Sequence, residues 1–126
     1  MVRSQTSLIL ILFIVSCLGV LLLESSNRVF RRTYDHYVLD NRNHYLPCRR
    51  WPRQSEVEKV VIEHQEIIQQ IENVNPGNAG VEIDRIACPG KADLVIWYAT
   101  HQNKLAIEQI IGDETFYGVP YRLQNR

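Results

Sequence analysis

Ala92-Asp93-Leu94-Val95-Ile96-Trp97-Tyr98-Ala99-Thr100 is the most strongly strand-forming stretch of this 126-residue chain. Leu94 to Tyr98 is β-branched, aromatic or aliphatic at every position, so both faces of the strand are apolar. That pattern fits a central strand covered on two sides, or one whose second face meets another chain. Thr100 or His101 then opens a short helix through Leu105, Ala106, Ile107, Ile110 and Ile111, with Gly112 as a left-handed cap. Thr115 to Leu123 reads as the next strand, carrying Phe116, Tyr117, Val119, Tyr121 and Leu123. Pro120 cannot donate to a ladder, so this strand should lie at an edge or contain a break. A strand–helix–strand unit makes its two strands parallel.

On the amino-terminal side, Val81 to Ala87 is a strand that Asp84-Arg85 blurs. Cys88-Pro89-Gly90-Lys91 places Pro and Gly at the central positions of a type II turn, which makes residues 81–100 a hairpin. Before it, Ser55 and Glu58 match a capping box. Val57, Val60, Val61, His64, Ile67, Ile68, Ile71 and Val74 follow at helical spacing until Asn75-Pro76-Gly77 stops them. The predicted class is α+β: an N-terminal transmembrane helix, then a helix-strand-strand-helix-strand domain with a three-stranded mixed sheet and two helices on one face.

Leu8 to Leu23 carries no charge and is long enough, with its flanks, to cross a bilayer. Three alternatives stand: an uncleaved anchor, a cleaved secretory signal, and a lipoprotein signal suggested by Ile14-Val15-Ser16-Cys17. The leading division is a tail at 1–7, an anchor or signal at 8–26, a juxtamembrane stalk at 27–53 and a domain at 54–126. Roughly 100 residues are left to fold in water, enough for one small domain and too few for separate cofactor and substrate domains. With 45% hydrophobic and 22% charged residues, wholesale disorder and collagen-like character are excluded.

The net charge of zero conceals a division. Arg28 to Arg53 holds seven arginines against Asp35 and Asp40, a balance of +5, while Gln54 to Arg126 stands at −5. Arginines interleaved with Tyr34, Tyr37, Tyr45 and Trp51 suit phosphate groups. Arg49, Arg50 and Arg53 are the anion-binding candidates, with lipid headgroups nearer than nucleic acid. The opposite charges of equal size favour another expectation, that the stalk docks on the domain, or on the domain of another molecule, with its arginines pairing with the acidic helix face.

Cys48 and Cys88, each beside a proline, are a possible disulfide closing a forty-residue loop, the alternative being two unrelated buried thiols. His36, His44, His64 and His101 show no metal-ligand spacing, and no P-loop, G-x-S-x-G or dinucleotide fingerprint occurs. No metal or cofactor is implied. A thiol-dependent enzyme centred on Cys88, with Lys91 and His101, is the weakest of the functional readings. The leading one is a membrane-anchored, non-catalytic interaction module of the cell envelope, single-pass and with an extracytoplasmic domain. It would bind a protein partner or self-associate through Trp97, Tyr98, Phe116, Tyr117 and Tyr121.

Overall fold

A computed structural model describes residues 2–126, which fall into two compact units that divide after Tyr34. The first is dominated by α1 (Val2–Asn27), within which Gln5–Ser25 is long and apolar enough to cross a membrane. Arg28, with φ 51°, ends α1, and Glu24 Oε2 accepts the Phe30 N–H (2.7 Å) at the start of α2 (Val29–Tyr37). Sequence periodicity reveals nothing of α2 because nine residues span barely two and a half turns.

The second unit contains α3 (Gln54–Glu63), α4 (Gln65–Glu72), β1 (Ala79–Asp84), β2 (Asp93–Tyr98), α5 (His101–Ile111), β3 (Thr115–Phe116) and β4 (Val119–Asn125). The sheet is mixed and has four strands, in the order β1-β2-β4-β3. β1 and β2 form the expected antiparallel hairpin, and its Gly90 (φ 75°) turn is closed by Lys91 N–H to Cys88 O (3.0 Å). β2 and β4 are parallel, joined across α5. Thr100 Oγ1 accepts the Asn103 N–H (3.2 Å) at the start of α5, and Gly112 ends it at φ 66°.

The expected count of three strands is corrected by Tyr117 and Gly118. Both have positive φ (51° and 87°) and fold residues 115–123 into a tight hairpin. Pro120 pairs with Thr115, and the ladder to β2 begins only at Tyr121, so the missing donor falls outside it. The single helix expected over 55–74 is likewise two, broken at His64 (φ −119°, ψ 33°). Its capping interaction lies two residues earlier than Ser55 and Glu58: Glu56 Oε2 accepts the Arg53 N–H (2.9 Å).

The core follows from strand alternation. Leu94, Ile96 and Tyr98 of β2 share one sheet face with Val81 and Ile83 of β1 and with Tyr121 and Leu123 of β4. Val57, Ile68, Ile71 and Ile107 from α3, α4 and α5 close over that face, and Phe116 and Val119 complete the cluster. Even the opposite face of β2 is buried at Asp93 and Val95. Residues 40–53 cover it, so the folded unit begins near Asp35 and not at 54. This segment is a strap on the domain rather than a free stalk.

Candidate functional site

The register sets the second sheet face: Gly80, Glu82 and Asp84 from β1, Asp93, Val95 and Trp97 from β2, Arg122 and Gln124 from β4. Arg122 is the hub. Its Nε and Nη2 grip Asp93 bidentately (2.6 and 2.8 Å), and Nη2 also reaches Asp84 (2.5 Å). Burial alone would lower the Arg122 guanidinium, but the hydrogen bonds and charges of Asp93 and Asp84 outweigh it and raise its pKa. Burial would raise the Asp84 carboxyl. The N–H groups of Ile86 and Ala87 together with Arg122 instead hold it below its ordinary value.

The strap locks onto this cluster. His44 Nε2 donates to Asp93 Oδ2 (2.8 Å), while His44 Nδ1 accepts the Leu46 N–H (3.0 Å). A backbone N–H can only donate, so the imidazole is the neutral Nε2–H tautomer and the charge of Asp93 is met by Arg122. Trp51 donates its indole N–H to Leu46 O (3.0 Å), lies edge-on to His44 and faces Arg122 at 5.7 Å. The Cys48–Cys88 disulfide fixes the strap to the β1–β2 turn.

At the other end of β2, Asp40 (φ 54°) is the anchor. Lys104, only 3% exposed, donates to Asp40 O (3.1 Å) and Oδ1 (2.9 Å), and the Tyr98 hydroxyl donates to the same carbonyl. His101 Nδ1 meets the Asp40 carboxylate at 2.9 Å. Burial would raise Asp40, yet Lys104 and His101 hold it below the ordinary value. Burial, reinforced by Asp40 and Glu108, pushes Tyr98 upward. Arg42 exchanges backbone hydrogen bonds with Leu123 (2.9 and 2.8 Å) and pairs with Glu108 (3.5 Å), so the strap also closes the free side of β4.

These contacts reorder the sequence candidates. Tyr98, Phe116 and Tyr121 are buried core residues, not an exposed binding face. Strand alternation places Tyr98 and Tyr121 under the helices, and the Tyr117–Gly118 turn tucks Phe116 beside them. Tyr117 is 55% exposed and stacks on His64 (3.5 Å between centroids, 7° between planes). Trp97 is half-buried and lies across Gly80, where a Cβ would meet its ring at 2.6 Å. Arg49, Arg50 and Arg53 are exposed and make no salt bridge among the described residues. Glu58 on α3 pairs instead with Arg85 (3.1 Å), and the strap is held by Asp40, Arg42, His44 and Trp51.

The residues of the enzymatic reading are not brought together. Cys88 is in the disulfide, and Lys91 donates to Trp51 O (2.8 Å) at the start of β2. His101 lies beyond the far end of that strand, about 20 Å away at the rise of an extended chain. Among the described residues no His, Cys, Asp and Glu group is placed to hold a metal ion. Sequence reasoning missed Asp40, His44, Asp84, Asp93, Lys104 and Arg122. One signal was present for part of this set: Asp93 shares its strand face with Val95 and Trp97, an acidic residue on a face otherwise marked for burial. The chain matches no known family model, no curated protein and no solved structure.

Proposed function

We propose that this chain is a single-pass protein of the cell envelope. Its folded unit, held outside the cytoplasm, binds a protein partner or a second copy of itself and performs no chemistry of its own. The observation that carries the reading is a disulfide, Cys48–Cys88, in a unit joined to an apolar helix of membrane-spanning length. Disulfides persist in oxidising compartments, which favours the outer side of a membrane. The charged groups of the second sheet face support a non-catalytic role, because each already has a structural partner: Asp93 holds Arg122 and His44 of the strap, Asp84 holds Arg122, and Glu82 pairs with Arg126. The test uses the full chain in its own membranes. It should stay in the membrane fraction through carbonate extraction, and maleimide should label Cys48 and Cys88 only after reduction. Release by carbonate, or labelling of both cysteines without reductant, sinks this reading.

A second reading has one observation in its favour: Arg49, Arg50 and Arg53 are exposed without a carboxylate partner among the described residues. Such guanidinium groups suit anionic lipid headgroups. At about 1 kcal/mol per basic residue, replacing all three with Gln should weaken binding to anionic vesicles by at least about tenfold. Binding unchanged by the triple substitution removes this alternative.

A further inference from the structure

The sheet has two edges, and they are treated differently. The β4 side is closed by β3 at one end and by Arg42 of the strap at the other. β1 pairs only with β2, and among the described residues no further backbone hydrogen bond leaves Ala79–Asp84. Its outward N–H and C=O groups form a ready template for another strand. Natural edges are blunted by charged side chains, proline or a bulge; Ala79-Gly80-Val81-Glu82-Ile83-Asp84 has no proline, lysine or bulge, and its two charges, Glu82 and Asp84, both lie on the second sheet face. Val81 and Ile83 lie at this edge only partly buried, packed against the core beside α4.

We propose that the outer edge of β1 is where two copies of this chain pair, antiparallel, with Val81 opposite Val81 of the second copy. The proposal rests on the partner-binding reading above and names the partner. Two arguments select the register. Antiparallel neighbours share a sheet face, so a twofold axis through Val81 sets Ala79 opposite Ile83 and Gly80 opposite Glu82, keeping both apolar faces continuous. Centring on Glu82 would set two carboxylates opposite each other, and centring on Ile83 would set Glu82 opposite Asp84; like charges so placed repel. Centring on Gly80 would leave only Ala79 to Val81 within the paired strands.

Trp97 supplies the second observation. Its indole occupies the space above Gly80, with Nε1 2.9 Å from where a Cβ would stand. That N–H has no acceptor among the described residues. In the Val81-centred register the second copy's Glu82 stands directly opposite Gly80, about 5 Å away at the Cβ level, on the indole's own face. A carboxylate there can accept the indole N–H while keeping its pairing with Arg126 (3.1 Å).

The experiment is oxidative cross-linking of the full chain in detergent micelles, in a Cys17→Ser background. Val81→Cys should give a covalent dimer. Glu82→Cys, and Ile62→Cys at a 72% exposed position of α3, should give little. Trp97→Phe keeps a ring over Gly80 and deletes the donor; it should weaken dimerisation about two- to tenfold. Retention of the Cys48–Cys88 bond in every variant checks that the unit is folded. Cross-linking at Glu82→Cys in place of Val81→Cys overturns the register. A dimer by light scattering that Val81→Cys cannot trap overturns the β1 edge and leaves partner binding to another surface. A monomer throughout the micromolar range overturns self-pairing, whereas the anchoring and compartment results are decided separately by extraction and labelling.

Discussion

At Gly80 the missing methyl group is what allows β1 to lie beneath the Trp97 indole. An added Cβ would stand 2.6 to 2.9 Å from three ring atoms, a separation that forces the indole or the strand to move. Gly80→Ala should therefore destabilise the unit by about 1–3 kcal/mol, the usual cost of overpacking, and thermal unfolding measures it. A substitution without effect would mean that the indole swings aside freely and is no fixed part of the edge. His44 makes a comparable point. Its two ring nitrogens have separate duties, one accepting from Leu46 and one donating to Asp93, which converts a histidine with no sequence partner into a fixed strut. No spacing rule finds such a residue, because its partners lie two and forty-nine positions away.

Among the elements, the strap at residues 40–53 differs most from its sequence reading. Charge totals of +5 and −5 suggested arginines docking on acidic helices, but attachment is decided at single positions and partly with the signs reversed. An aspartate from the basic segment, Asp40, binds a lysine from the acidic one, Lys104. Totals carry no information about which side chain a given backbone turn aims inward. The strap's stability should depend on pH in a definite direction. The folded-state pKa values of Asp40 and Asp84 are below the ordinary 3.8, so their contribution is fully present above that value and is lost as the pH falls through the lowered folded pKa values. The melting temperature should fall as the pH drops below about 4. Asp40→Asn should flatten part of that decline; an identical acid profile would show that the anchor contributes nothing. By contrast β2, α5 and the turn at Gly90 were legible, since periodicity, a threonine cap and glycines at positive φ are local properties. The break at His64 was not. His64 continues the apolar stripe of α3, and only its ring contacts with Phe116 and Tyr117 mark the place where the helix turns.

For the molecule as a whole, the α+β class and mixed sheet followed from the order of elements. The expected binding face did not survive for Tyr98, Phe116 and Tyr121, because aromatic residues mark a core as readily as an interface. Trp97 and Tyr117 remain at the surface, at the rim of the open edge and at the β3–β4 turn. The separation of the closing contacts has a further consequence, for biogenesis. Asp40 waits for Lys104 sixty-four residues later, and Asn41 for Asn125 eighty-four residues later, whereas α3, α4 and the β1–β2 hairpin assemble from neighbours. Long-range closure is slow relative to local structure. Cys48 and Cys88, forty residues apart, can therefore meet an oxidant before the strap has found its seat. A bond made at that stage would shorten the remaining search, because it closes the forty-residue loop before the distant strap contacts form.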